Sequence, residues 1–353
     1  MSGAVDPAVR VERPAPPKWA VAIGAPLAGV LVGLAIGALL MLLAGANPLE
    51  AYAVMWKGAF GGRRQIEETL LKAAPLLLVG LGLTAAFRAR VWNIGGEGQY
   101  YMGALLGGII ALNFPDWPRP LLIGAMLLAG VVGGIAWAMI PGLLKVRRGI
   151  SEIISTLMFN YIAVLLMQYV ARGPLQEPGG YLPESAQFVA AARMPTFFDT
   201  RLHLGLLLAL LGIPLVYALL WSTPLGFRLR AVGSRASVAR YAGINVQKMI
   251  LFALAFSGAL AGLAGIIEVS TLHTRLKGDI SGGYGFSGIL VALLGRMHPV
   301  GVAVASLFFA ALTIGAQMMH VVYGLPDALA TAIQAVVVLS VLAADALAHR
   351  RWG

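Results

Sequence analysis

The chain reads as an all-α protein, a polytopic membrane helix bundle of about ten spanning segments, some short or broken. Three observations predict this. Hydrophobic residues make up 59% and charged residues 12% of the 353 positions, more apolar surface than a soluble domain can hide. Apolar stretches of about 20 residues recur, the length a helix needs to cross the hydrocarbon of a bilayer. The net charge of +11 is spread over the short loops between those stretches, a topology signal rather than a nucleic-acid patch.

The elements follow in order. Residues 1–18 are polar and Pro-rich and read as a disordered cytoplasmic tail. Residues 19–49 carry no charge. Ala44-Gly45-Ala46 looks like a signal-peptidase box, but the apolar run before it is too long for a signal sequence, so 20–44 reads as an uncleaved first span. Further spans are expected near 69–87, 97–113, 120–144, 150–171, 203–221, 248–268, 284–297, 299–319 and 327–347. Together 19–348 form one transmembrane domain, followed by a cytoplasmic tail at 349–353. Residues 172–202, with Pro174, Pro178, Pro183 and Pro195, form a long outer loop with some short structure. The 284–297 segment is too short to cross untilted and Pro299 follows at once, which suggests a broken or re-entrant helix.

With the N-terminus cytoplasmic, the inner loops and tails hold 16 of the 26 basic residues. The outer side takes most acids, among them Glu50, Glu67, Glu68, Glu177 and Asp279. Both termini are therefore placed inside, with Arg63, Arg64 and Lys72 running against the bias. Two Gly-rich segments, 93–99 and 282–288, each open a helix on opposite membrane sides of this topology, an echo that an inverted repeat would leave.

Several chemistries are excluded. There is no cysteine, hence no disulfide or thiolate, and no G-x-x-x-x-G-K-[ST], hence no P-loop for ATP. His203, His273, His298, His320 and His349 show no ligand spacing and read as interface residues, so no metal site is expected. Gly283-Tyr284-Gly285-Phe286-Ser287-Gly288 fits a dinucleotide fingerprint by letter but lacks any βαβ context. No nucleophile–base pair suggests an enzyme. Small-residue repeats at Gly29/Gly33/Gly37 and Gly258/Gly262 permit close helix approach.

Three polar constellations remain. In Asn93-Ile94-Gly95-Gly96-Glu97-Gly98-Gln99, glycines loosen the backbone where a helix begins, and Asn93, Glu97 and Gln99 supply polar groups at membrane depth. They suit a cavity or hinge on a substrate pathway, or a cap in which Asn93 caps the start of the helix and Glu97 complements its positive end. Glu152, Ser155, Thr156 and Asn160 recur three to four apart, on or near one helical face, and would turn that face from lipid toward the bundle. Glu152 alternatively pairs with Arg147 or Arg148, and Glu268 is expected at an outer interface. Finally, 223–246 holds Arg228, Arg230, Arg235 and Arg240 without an acid, so it faces the cytoplasm. Ala236 to Ala242 reads there as a short helix, capped by Ser234 and stopped by Gly243, a good shape for docking a soluble partner.

From about residue 69 onward the chain resembles the permease subunits of bacterial ABC importers, in the branch shared by branched-chain amino acid, ribose and nucleoside systems. The resemblance rests on NIGGEGQYYMGAL (93–105), RRGISEIISTLMFNYIA (147–163), TPLGFRLRAVG (223–233) with ARYAGI (239–244), SGALAGLAG (257–265) and GYGFSGILVALLGRMHP (283–299). It is greatest to nucleoside-type permeases. It implies a multi-pass protein of the bacterial inner membrane that forms the path for nucleosides. The implied partners are a cytoplasmic ABC ATPase that binds ATP and Mg, a second permease subunit in a heterodimer and a substrate-binding lipoprotein, with membrane lipid around and no nucleic acid. No cofactor is implied in this chain. The family's ATPase-coupling motif falls on Ser237-Val238-Ala239-Arg240-Tyr241-Ala242-Gly243, where serine replaces the usual glutamate and valine the first alanine. Leu225, Gly226, Arg228, Arg230, Gly233, Ala239, Arg240, Tyr241 and Gly243 are thereby implied in coupling. The alternatives are a simple-sugar ABC permease and a proton-coupled secondary transporter relaying through Glu97 or Glu152.

Overall fold

The computed structural model describes residues 18–197, 200–324 and 327–352, and every regular element among them is a helix. The chain divides into two compact units, one from Met1–Leu49 with Ala328–Gly353, the other from Glu50–Asp327. In the first, α1 (Lys18–Leu43) lies against α13 (Asp327–Trp352) through small residues. A Cβ at Gly29 or Gly33 would stand 2.4 or 2.5 Å from the Cα of Val341 or Val337, so only glycine lets these backbones meet. The expected N-terminal tail falls, except for Lys18, outside the described residues. Helix α13 runs to Trp352, through most of the positions expected as a C-terminal tail.

The second unit begins within α2 (Pro48–Phe60), a helix that lies outside all the expected spans. Its signals are ordinary helix signals: a proline at the start, Glu50 in the first turn and Lys57 in the last. Then follow α3 (Arg63–Arg88), α4 (Gly96–Asn113), α5 (Arg119–Arg148), α6 (Glu152–Arg172), α7 (Leu204–Ser222), α8 (Pro224–Ser234), α9 (Ala236–Tyr241), α10 (Val246–Glu268), α11 (Tyr284–Leu294) and α12 (Pro299–Tyr323). Among the described residues eight helices are long and apolar enough to cross a bilayer. Of the ten expected spans, α4 and α11 are not among those eight.

Helix α3 is the pillar: 83% of its most apolar window is buried, against 28% in α6 and α7, which keep broad apolar faces outward. Helix α10 packs on α3 and interlocks with α4 and α5 through glycines. A Cβ at Gly134 would lie 1.9 Å from the Gly258 carbonyl oxygen, and one at Gly262 would lie 2.2 Å from the Gly130 oxygen. The Gly258/Gly262 repeat thus works as expected, as a seam of backbone contact.

Helices α4 and α11 explain each other. The α4 N-terminus lies beside Val79, nine residues and so about 13 Å along α3 from Arg88, inside the bundle. Gly285, at the start of α11, abuts Gly96 and Glu97 at that same level. From this meeting point α4 runs toward the Arg63 end of α3, pairing Gly103 with Gly262 and Gly108 with Leu276. Helix α11 runs the other way, to where Arg88 Nε donates to the Met297 carbonyl at 3.0 Å. Both start within the membrane depth; α11, with 11 residues, is a half-helix, whereas α4, with 18, runs on to the Arg63 end and falls outside the eight because its first turns are polar. The two Gly-rich segments do open helices of opposite direction. They touch, however, instead of lying on opposite membrane sides, because each supplies the gap the other's backbone fills.

The 172–202 connection holds the expected short structure: one turn of 3₁₀ helix at Ala190–Ala192 and isolated bridges Gln176–Ser185, Glu184–Lys277 and Thr196–His203.

Candidate functional site

Two helix N-termini facing each other in a bundle leave orphan amides that no water can reach, so side chains must serve them. Asn93 Oδ1 accepts from Gly95 N at 2.9 Å and from Gln99 Nε2 at 3.0 Å. Its Nδ2 donates to Gln99 Oε1 at 2.9 Å and to Ser257 Oγ at 3.0 Å. Asn160 Oδ1 accepts from Gly98 N, and its Nδ2 donates to the Ile94 carbonyl, both at 2.8 Å. Thr156 Oγ1 accepts from Ile94 N at 3.2 Å. Glu97 Oε2 accepts from Gly285 N at 2.7 Å, so a carboxylate of α4 caps α11. Asn93, Glu97, Gln99, Thr156 and Asn160 are all buried. The structure brings Asn93, Gln99, Thr156 and Asn160 together around the 93–99 backbone, and Glu97 joins that knot to α11. Gly95, and not Asn93, holds the cap position of α4.

The polar face of α6 is as expected. Glu152, Ser155, Thr156 and Asn160 are buried, whereas Ile154, Tyr161, Leu165 and Tyr169 are each more than 60% exposed on the outward face. Glu152 pairs with Lys145 rather than with Arg147 or Arg148, because Lys145 lies one turn deeper along α5. Ser155 donates to the Ser151 carbonyl. Asn160→Leu leaves Gly98 N and the Ile94 carbonyl unpaired. We expect it to lower stability by about 2–4 kcal/mol, measured as thermal unfolding of the purified full chain, with Tyr161→Leu nearly neutral.

Sequence reasoning missed a second cluster. Lys72 lies in α3 at 3.9 Å from Glu268 at the end of α10, and donates to Tyr284 Oη at 2.7 Å. Tyr284 Oη lies 3.3 Å from Glu268 Oε1. Glu268 is only 6% exposed, so it is a buried partner of Lys72 and not an interfacial residue. The available signal was a lone acid and a lone base each inside an apolar run, an arrangement that demands pairing. Beyond Glu268 the backbone makes a π-helical turn, Val269–His273, closed by Thr274 with φ +51°.

His203, at the cap of α7, accepts from Gly205 N through Nδ1 at 3.1 Å and is 6% exposed, more buried than an interface residue. Burial lowers its pKa from 6.5 to about 4, so the ring is neutral near pH 7. The unfolded chain then binds this proton between pH 6.5 and 4 while the folded chain does not. Its contribution to stability is full above pH 6.5 and is lost as pH falls toward 4, by at most about 3 kcal/mol. His203→Asn keeps a capping oxygen, and we expect it to flatten this slope in thermal melts across that window.

At the Arg88 end, 223–246 is helical throughout most of its length. Thr223 Oγ1 accepts from Gly226 N at 3.0 Å and Pro224 starts α8, a helix the sequence analysis did not read. Ser234 ends α8, and Arg235, not Ser234, holds the cap position of α9. Gly243 stops α9 as expected, with φ +79°. A Cβ at Gly233 would lie 1.9 Å from the Arg88 carbonyl oxygen, and one at Gly226 would lie 2.1 Å from that of Leu219, so α8 is seated directly on the ends of α3 and α7. The guanidinium carbons of Arg88 and Arg230 stand 5.3 and 5.9 Å from the centre of the Trp221 ring. Arg230 Nη1 is buried with no acceptor among the described residues. Leu225 is half-buried and Arg228 exposed. In α9 only Ala239 is buried; Arg240 is exposed, Val238 is 55% exposed and Tyr241 97%.

Comparison with known proteins now places the chain. Residues 65–342 match the model of the branched-chain amino acid transport system / permease component family. The chain is 36% identical to the glucose ABC transporter permease protein TsgB13 of Haloferax volcanii, over 96% of this chain and 91% of that protein. It is also 36% identical to the guanosine ABC transporter permease protein NupP of Bacillus subtilis, over 91% of this chain and 93% of the relative. To the nucleoside ABC transporter permease protein NupB of Lactococcus lactis it is 32% identical, over 83% and 84%. With a buried polar knot between helix N-termini, a helical pair seated on glycines at one end and a match covering most of its length, this integral membrane protein belongs to the permease component family of branched-chain amino acid transport systems.

Proposed function

We propose that the chain is the permease subunit of an ATP-driven ABC importer for nucleosides in the bacterial inner membrane, with both termini and the Arg88 end of α3 cytoplasmic. It works with a separate ATPase that binds ATP and Mg, with a substrate-binding lipoprotein, and with a second permease subunit as a heterodimer. The family supports the permease role, and two of the relatives named above are nucleoside or guanosine permeases. The glucose permease among them makes a simple sugar the second substrate reading.

The observation that carries ATPase coupling is the contrast between α8 and α9. Helix α8 is fixed to the bundle by Gly226 and Gly233, while α9 is held by Ala239 alone and presents Val238 and Tyr241 to the outside. A soluble domain can grip such a knob, and force on it passes through α8 to α3. Leu225, Arg228, Arg230, Arg240 and Gly243 complete this coupling element. Asn93, Glu97, Gln99, Thr156 and Asn160 serve the substrate pathway by fixing where α4 and α11 begin, and Glu152 and Ser155 extend the same polar face of α6 toward Lys145.

The test is uptake of labelled guanosine into vesicles holding this chain and its partner subunits. We expect uptake only with ATP. Uptake that follows a proton gradient without ATP overturns the reading and favours a relay through Glu97 or Glu152.

A further inference from the structure

A cavity of about 450 Å³ opens at the Arg63 end of α3, on the opposite end from α8 and α9, and its floor includes Lys72 and Glu268. We propose that this cavity is a substrate-holding site for a neutral, polyhydroxylated ring solute, the chemistry shared by a nucleoside and a hexose. The inference rests on the permease reading and adds to it a site, a solute class and the residues that hold it.

The volume lies within the range of small-molecule pockets. The charges around it are largely matched within the protein. Glu68 pairs with Arg201 at 2.5 Å and Glu268 with Lys72 at 3.9 Å, and the remaining cation, Arg193, is exposed to solvent. Hydroxyl groups can add hydrogen bonds to these pairs without displacing charge, whereas an anion would find its one spare cation among the described residues, Arg193, at the solvent-exposed rim. The lining also supplies a hydroxyl and an amide, Thr271 and Gln317, beside apolar side chains that suit the carbon face of a ring.

The wall itself is irregular in a way that favours a site. Ser270 and Thr271 belong to the π-helical turn after α10, and such turns recur at functional positions because they displace backbone from its usual register. Their hydroxyls donate to the Ile267 carbonyl at 3.0 and 2.7 Å, which holds the widened turn; Ser270 is fully buried, and half-buried Thr271 keeps hydroxyl lone pairs that can accept. Below the floor, Tyr284 ties Lys72 and Glu268 to the first residue of half-helix α11. That residue follows Gly282 and Gly283, both at positive φ. Whatever occupies the cavity therefore presses on the ion pair that anchors the α11 N-terminus, next to the Glu97 cap. The cavity and the coupling helices sit at opposite ends of the same pillar, α3.

Leu272→Trp narrows the cavity from a rim position that is 48% exposed, so it leaves the core intact. Gln317→Leu removes one polar contact from the exposed face of α12. The experiment measures binding of labelled guanosine and glucose to the full chain in nanodiscs, with guanosine monophosphate as the charged comparator, alongside ATP-driven uptake by the assembled complex. We expect binding to the wild type in the millimolar range. Leu272→Trp should lose about tenfold or more and Gln317→Leu about fivefold, with unchanged melting temperatures and little binding of the monophosphate. If both variants bind and transport like the wild type, or the monophosphate binds as well as guanosine, the cavity inference is overturned while ATP-driven uptake by the wild type leaves the permease reading standing. If the wild type binds solute that Leu272→Trp cannot, yet shows no ATP-driven uptake, the permease reading falls and the cavity stands.

Discussion

Gly285→Val is expected to prevent stable folding, or to cost about 3 kcal/mol or more where folded protein is recovered. A Cβ at this position would lie 2.1 Å from Glu97 N and 2.3 Å from its Cα, inside the backbone of the opposing helix α4. Rotamer change cannot relieve a collision with main chain, and neither helix can retreat. Gly288 is packed on Val79 on one side, and on the other a Cβ at Gly98 would stand 3.0 Å from the Asn160 Cα. Two controls separate shape from charge. Glu97→Gln keeps an oxygen that can accept from Gly285 N, so it should cost about 1 kcal/mol and leave ATP-driven uptake largely intact. Gly283→Ala meets open space and suffers only from its φ of +89°, a loss of about 1 kcal/mol. Monodispersity and thermal unfolding of the purified chain measure all three. Equal behaviour of Gly285→Val and Gly283→Ala would mean that the junction of α4 and α11 is not a structural centre.

That junction also shows where the sequence was legible and where it was not. Apolar length alone located α1, α3, α5, α6, α7, α10, α12 and α13 to within a few residues at most ends, because the bilayer sets a length that composition must meet. The polar face of α6 was legible from spacing, since Glu152, Ser155, Thr156 and Asn160 had nowhere apolar to go. Contacts between distant glycines were not. Gly96 and Gly285 look like flexible loop residues in one dimension and are points of backbone contact in three. The same holds for Lys72 and Glu268, which seemed stray charges until folding placed them 3.9 Å apart. Helix α8 was missed for a different reason. Its Thr-Pro start is a good cap followed by a good first residue, but arginines and glycines spread through it hid the helical period.

Tyr241→Ser is expected to weaken ATPase association by about 1–2 kcal/mol, five- to thirtyfold in affinity, while leaving the melting temperature of the isolated chain unchanged. The ring is 97% exposed on a six-residue helix, so it contributes almost nothing to the fold, yet an exposed aromatic beside exposed Val238 is the kind of anchor a partner pocket fills. Gly233→Val should do the reverse. Its side chain would strike the Arg88 carbonyl and lift α8 from the end of α3, so the partner still finds α9 but its motion no longer reaches the pillar. Substrate-stimulated ATP hydrolysis should then fall toward the basal rate, with association reduced little. Binding of the purified ATPase to each variant, set beside stimulated and basal hydrolysis in the assembled complex, separates the two effects. On the proposed docking, Ser237 stands where the resemblance places an acidic anchor, so the grip is expected to come from shape and apolar contact. If Tyr241→Ser binds the ATPase as tightly as the wild type, α9 is not the docking element. If Gly233→Val keeps full stimulation, the glycine seat of α8 does not transmit the stroke.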